Sequence, residues 1–556
     1  MKRLVLALAA LALAVPGAAD AARFAVGVAP GADTGTLSKA IERRTGTRPE
    51  PLAPFALVVE TSNRRKLSAL PGAAFVERLG TRGRSVAFVP TDPLASRQWY
   101  LSAVQAFDAW PQRPIFSPPA LRVAVIDSGI DAGHPELAGR IAAAKSFVGG
   151  SARRDRQGHG TFIAGLIAAS LGNGEGIAGM AFPAQLLVAK VVRADGVVPL
   201  EAEARAIRWA VDRGASVINL SLGGLRDPQD PTRDSYSRLE AAAVGYAVRK
   251  GVVVVAAVGN GDGAPAQPWW NASYPAALPH VLGVSAVARD GSVPTFSNRD
   301  AIYNDIAAPG DELFSTLPRG LTALRPTCEL QGYSDCGPLE YRRPQGTSFA
   351  AAIVSAGAVL ARVSWPNARR EQVVSLLQRT ATDLTADTGC RRCVPGRDPV
   401  SGWGRLDVAA AVNYTGRLAA IDRHEPNDDA GPNAFRVLRK TATIRASLDY
   451  WDDPNDVYAV RLPRGARMVA TLDGRTTPDV NLVLWRPGTR RISESRSLVN
   501  VAASSASPQS FEVIRYGLRR GGVRRAGVYY LQVRIAEPGA GRYTLRIVRR
   551  PKRERR

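Results

Sequence analysis

Three regimes of hydrophobic and polar order follow one another along the chain. Between residues 22 and about 90, the strand-like runs "RFAVGVAP" and "FALVVETS" flank the helical pattern "TLSKAIERRTG", and "SVAFVPTDP" closes what reads as a small α+β unit. From about 95 to 415 the runs become apolar throughout and rich in β-branched residues, as in "LRVAVID", "QLLVAKVV", "ASVINLSLGG", "GVVVVAAVGN" and "HVLGVSAV". They alternate with Ala-rich helical patterns. A strand apolar on both faces needs cover on both faces, so the pattern predicts an α/β fold: a doubly wound, mostly parallel sheet with helices on either side. From about 425 to 550 the order changes again to alternating strands such as "DVYAVRL", "RMVATLD", "NLVLW", "GVYYLQVRI" and "GRYTLRIV", separated by Gly/Pro/Asp turns with no helix between them. That pattern predicts an all-β sandwich, joined to the preceding unit by the linker "DRHEPNDDAGP".

The first residues follow a different rule. "MKRLVLALAALALAVPGAADA" carries Lys2 and Arg3, an apolar run from Leu4 to Val15, and small residues ending in Ala19-Asp20-Ala21. This is the layout of a secretory signal peptide over residues 1–21, and its apolar run is too short to span a bilayer. No later stretch is apolar for long enough to span, so no membrane span is expected, and the destination is extracellular or periplasmic. The four cysteines fit it: Cys328 and Cys336 share a loop, and Cys390 and Cys393 form "CRRC". In an oxidising compartment they predict two disulfides, with three pairings open and a four-thiolate zinc site as the rival. The net charge of +24 adds little. Its basic residues are scattered rather than gathered on one face, apart from the terminal "RRPKRERR", so no nucleic-acid partner is expected.

In an open parallel sheet, ligands bind beyond the carboxyl ends of the strands. Four polar residues fall at such places. "VAVIDSGIDAGHPEL" ends an apolar strand in Asp127, a carboxylate that must be hydrogen-bonded or paired there. "GHGTFIAGLIAA" sets His159 between glycines at the opening of an apolar helix; the other histidines, His134, His280 and His424, lie in a turn, before a strand and in the linker. "GVVVVAAVGNGDG" ends a strand in Asn260, which can donate to an oxyanion or merely stabilise a turn. "QGTSFAAAIVSAG" places Ser348 at the start of an apolar helix, where serine is either a cap or a nucleophile in the positive field of the helix terminus. Together the set supplies a hydroxyl, an imidazole to take its proton, a carboxylate to orient the imidazole, and an amide donor.

These motifs, in the order Asp, His, Ser, resemble the subtilisin family of serine endopeptidases over roughly residues 95 to 415. "DSGID" with "HPEL", "GHGTFIAG", "VVAAVGN" and "GTSFAAA" match that family's aspartate, histidine, oxyanion and serine segments, and "SVINLSLGG", "IAAPG" and "GWGRLDVAAAV" extend the match. The resemblance implies Ser348 as nucleophile, His159 as base and then acid, Asp127 as its orienter, and Asn260 with the Ser348 N–H as oxyanion donors. It implies that Ser221, Leu222 and Gly223 pair with an extended protein or peptide substrate. Residues 22–90 resemble an inhibitory propeptide, so the enzyme would be made as a zymogen with its own propeptide as a partner. The C-terminal unit resembles sandwiches appended to secreted peptidases. No cofactor is required for the chemistry. The metal sites are not fixed by the sequence, but the resemblance points to a structural calcium near Gln98, Glu136 and Asn173, with Glu136 where aspartate is usual. Ala352 and Ile353 replace the family's proline and histidine after the serine. A lipase-type enzyme would need G-x-S-x-G and the order Ser, acid, His, which this chain lacks. A catalytically inactive secreted binding protein on the same scaffold is the alternative.

Overall fold

The computed structural model describes residues 22–53, 56–67, 69–79, 88–111, 121–475, 477–492, 498–508, 510–518 and 522–550. The leader-like residues 1–21, "GTRGR" (Gly80 to Arg84) and the last six residues lie outside that range. The chain divides into two compact units, Met1–Val86 and Ala87–Arg556. In the first, strands β1 (Ala22–Val28), β2 (Glu50–Ala53), β3 (Ala56–Thr61) and β4 (Ala73–Arg78) form an antiparallel sheet in the order β2-β3-β1-β4. Helix α1 (Thr34–Thr45) starts where Asp33 Oδ2 accepts the Thr36 N–H at 2.7 Å and stops at Gly46, whose φ of 79° needs no Cβ. Its Leu37 and Ile41 bury against Phe24, Val26, Leu57 and Val59, giving the predicted α+β unit its core.

The second unit is built on seven strands: β5 (Leu121–Asp127), β6 (Ile141–Ser146), β7 (Ala184–Lys190), β8 (Ala215–Leu220), β9 (Val253–Ala257), β10 (Val281–Val287) and β11 (Ile306–Pro309). Their order is β11-β10-β9-β8-β5-β7-β6, with every neighbouring pair parallel. The five apolar runs in the sequence are β5, β7, β8, β9 and β10, the interior of the sheet. Helices α2 (His159–Ala168) and α5 (Thr347–Ser364) cover one face, and α3 (Leu200–Asp212) with α4 (Arg238–Arg249) covers the other. Helix α5 is long and apolar enough to cross a membrane by composition, but it is the core helix of this layer: Ala350, Ala351, Ala352, Ile353 and Ala356 are fully buried. The family's proline and histidine positions are thus filled here by packing residues.

Beyond helix α6 (Arg370–Arg379), nine strands between Phe435–Val437 and Ala540–Arg550 form a five-stranded and a four-stranded sheet. All pairings but one are antiparallel. Leu482, Leu531 and Val533 of one sheet meet Leu448, Met468 and Leu545 of the other in a shared core, the predicted sandwich. Arg379 on α6 ties this layer to the parallel sheet's helices by bonding both oxygens of Asp449 at 3.0–3.1 Å.

Candidate active site

The chain leaves β5 toward β7 on one side and returns to β8 on the other, so β5 lies where the strand order reverses, and Asp127 is its last residue. The Asp127 side chain is 3% exposed. Its Oδ1 accepts the Ser128 N–H at 2.7 Å, and both oxygens lie 2.9 Å from His159 Nδ1. This bond fixes the tautomer with the proton on Nδ1 and leaves Nε2 as the basic nitrogen. His159 is the first residue of α2, and Gly158 before it (φ 97°) offers no side-chain cap. Asp155 serves instead. Its Oδ2 accepts from Thr161 N and Oγ1 at 2.9 and 2.7 Å, and its Oδ1 from Ser128 Oγ, Gln157 N and Gly158 N. One buried carboxylate thereby ties the helix start to the turn after β5. The approach is so close that a Cβ on Gly160 would come within 2.1 Å of the Gly129 carbonyl oxygen. Burial disfavours charge on His159, yet the charge and hydrogen bond of Asp127, with Asp155 behind, hold its pKa above the ordinary value.

Helix α5 supplies the hydroxyl. Gly346 is its N-cap and Thr347 its first residue, so Ser348 is inside the first turn and its side chain caps nothing. The Ser348 hydroxyl donates to the Ser221 carbonyl at 3.2 Å rather than to His159. The neighbouring Phe349 ring lies 5.7 Å from the His159 ring, centroid to centroid, which brings the imidazole to this helix start. Asn260 Oδ1 accepts from both Thr347 N and Thr347 Oγ1 at 2.9 Å, so the amide is oriented with its NH₂ left to donate elsewhere. Thr347 Oγ1 in turn accepts the Gly259 N–H at 3.2 Å. The same end of the sheet therefore holds a carboxylate–imidazole pair, a half-buried hydroxyl, a helix-start N–H and an oriented amide.

Ser221, Leu222 and Gly223 run on from β8 beside this site. A polar chain fixes them: Ser355 Oγ donates to Asn219 Oδ1, Asn219 Nδ2 to Ser221 Oγ, and Ser221 Oγ to the Ser348 carbonyl, all at 2.7–2.9 Å. Gly223 passes so close to the Tyr274 carbonyl that a Cβ would come within 2.5 Å of it. Leu222 and Gly223 form no backbone hydrogen bond with other described residues, leaving an edge that an extended chain can pair with.

The residues expected near calcium each bond protein groups in this structure. Both amide atoms of Gln98 bond the Ala178 backbone at 2.8 Å. Glu136 Oε1 accepts from Ile177 N and Tyr333 Oη, and Asn173 Oδ1 from Glu175 N. Burial pushes the Glu136 carboxyl up to about 7. The cysteines pair as Cys328–Cys336 and Cys390–Cys393, which leaves no thiolate for zinc. Of the remaining histidines, His134 is locked between Glu136 N and the Gly332 carbonyl, His280 pairs with Asp428, and His424 lies edge-on to Phe435. The sequence reading passed over Thr347 and Asp155. Thr347 stands directly before Ser348, and Asp155 stands four residues before His159, where an acid ahead of an uncapped helix is a usable signal.

Residues 120–396 match the subtilase family, Peptidase_S8. Thermitase from Thermoactinomyces vulgaris is 37% identical over 234 residues, covering 42% of this chain and 77% of thermitase. Subtilisin BL from Lederbergia lenta is 35% identical over 287 residues, 51% of this chain and 91% of its own. The cell wall-associated protease of Bacillus subtilis (strain 168) is 32% identical over 326 residues, 55% of this chain but only 32% of that protein.

Proposed function

The chain belongs to the subtilase family of serine endopeptidases, and from that premise we propose that it hydrolyses peptide bonds through Asp127, His159 and Ser348, as a secreted enzyme made in precursor form. This mechanism requires the Ser348 hydroxyl to turn about Cα–Cβ, away from the Ser221 carbonyl and toward His159 Nε2. Ser348 Oγ then attacks the scissile carbonyl while Nε2 takes its proton, and the imidazolium is stabilised by Asp127. The oxyanion receives the Asn260 NH₂ and the Ser348 N–H in the positive field of the α5 terminus. His159 returns the proton to the leaving amine, and water, activated by the same imidazole, releases the acyl group from Ser348. No cofactor takes part. The substrate backbone lies extended along Ser221, Leu222 and Gly223.

The observation that supports this most is the pair of 2.9 Å contacts from His159 Nδ1 to Asp127, made at the reversal point of the sheet and beside the start of α5. Residues 22–90 act in this reading as a propeptide and intramolecular inhibitor, and residues 1–21 as the export signal; two disulfides accord with an oxidising destination. The test is hydrolysis of an unstructured protein by the purified chain and by Ser348→Ala. The variant should lose about 10⁶ in turnover, the loss known for subtilisin itself. Full hydrolysis by the variant would overturn the assignment.

A further inference from the structure

The proposed site leaves unexplained a knot of carboxylates far along the chain, where residues 422–428 meet the sandwich strand Asn455–Leu462. Ligand-capable oxygens of Asp422, Glu425 and Asp456 lie within 4.8 Å of one another, as do single ligand atoms of Glu425, Asp428 and His280. Oxygen ligands sit about 2.3–2.6 Å from a calcium ion, so two of them are at most about 5 Å apart; the first triplet already has that spacing.

An acidic cluster alone would say little. The second observation is Asn427, which is 0% exposed. Its Nδ2 donates to Asp456 Oδ1 at 2.5 Å, and its Oδ1 has no partner. Glu425 Oε1, Asp428 Oδ1 and Asp453 Oδ1 are likewise sealed from solvent without a donor. Burying so many acceptors without donors is costly, and burying like charges together adds to the cost. The protein cations at hand offset only part of this: His280 Nε2 lies 2.8 Å from Asp428 Oδ2, and buried Arg370 bonds Glu371 and His280, its Nη1 making no hydrogen bond while its charge acts on Asp428 and Glu425. The remaining supports leave lone pairs over: Asp422 takes the N–H groups of His424 and Ser447, and Asp456 takes the hydroxyl of Tyr543.

We propose that Asp422, Glu425, Asp456 and the side-chain oxygen of Asn427 bind one calcium ion, with the His280–Asp428 ion pair closing the site toward the parallel sheet. A half-turn of the Asn427 amide brings its orphan oxygen to where Nδ2 now touches Asp456. The donors are all oxygen, which selects a hard cation; the irregular carboxylate and amide set suits calcium better than magnesium, which demands near-ideal octahedral geometry. Because His280 directly precedes β10 and Asp428 is three residues from Glu425, an ion here fastens the sandwich to the catalytic sheet.

The test uses the full chain carrying Ser348→Ala, so its outcome is independent of the catalytic assignment. The protein is stripped with chelator and titrated with calcium, and separately with terbium. Tyr543 bonds Asp456 directly, so terbium in the site should emit on tyrosine excitation. The expected result is one equivalent bound, displacement of terbium by calcium, and thermal unfolding that moves upward with calcium concentration. Glu425→Gln and Asp422→Asn, with circular dichroism confirming their fold, should each weaken binding at least 10-fold, whereas Glu136→Gln should bind like the parent. The proposal is overturned if the parent takes up neither ion, if Glu425→Gln and Asp422→Asn bind as tightly as the parent, or if zinc binds in preference and is lost in His280→Ala.

Discussion

Thr347 gives one residue two duties: its N–H and hydroxyl both hold Asn260 Oδ1, and its hydroxyl oxygen also receives Gly259. Asn260→Ala should lower kcat by about 10²–10³, the figure known for subtilisin's own oxyanion asparagine. Thr347→Val keeps the backbone bond but frees the amide to wander. The loss of one hydrogen bond predicts a fall in kcat of about 3- to 10-fold with KM nearly unchanged, measured by steady-state hydrolysis. His159 carries a pH prediction. It must be neutral to accept a proton, so hydrolysis is off below its raised pKa and on above it. Asp127→Asn removes the charge that raises the pKa and leaves burial, which acts downward. The acid limb of kcat/KM should therefore move to lower pH, in an enzyme slowed by about 10⁴. A limb that stayed in place would show that Asp127 does not set the charge of His159.

At the scale of elements, the interior strands were legible because burial on both faces demands an unbroken apolar run, as in β5 and β8–β10. The edges were not. β6 ("IAAAKS") and β11 ("IAAP") are half alanine, which favours no strand on its own. The order of Asp127, His159, Asn260 and Ser348 was readable from motifs, but the supports were not, since Asp155 reaches Ser128 and Thr347 reaches Asn260 only after the sheet forms. Helices α3 and α4 hold a further feature invisible to periodicity. Burial pushes Glu240 up to about 7 despite a hydrogen bond with Glu203, and burial with the charge of Glu240 pushes Glu203 well upward too. The folded state then binds more protons than the unfolded one between about pH 4.5 and 7, so this pair's contribution to stability falls as pH rises through that window. Glu240→Gln should raise the unfolding temperature at pH 8 and flatten its decline from pH 5, measured in the Ser348→Ala background. An unchanged pH slope would place the titration elsewhere.

For the whole molecule, a net charge of +24 says less than where the charges sit. The junction between parallel sheet and sandwich is locally acidic and cross-linked by Arg379 to Asp449 and His280 to Asp428, so the two layers form one compact unit although their sequence patterns differ. In the proposed mechanism that unit holds four polar side chains, from two strand ends and two helix starts, around one reacting bond. The most direct measurement is to treat the processed, active protein with a sulfonyl fluoride and map the adduct by mass spectrometry. One sulfonyl group should be found, on Ser348, with parallel loss of hydrolysis, and it should vanish in His159→Ala. An active enzyme inhibited through a different serine, or left with Ser348 unmodified while hydrolysis is abolished, would contradict the account.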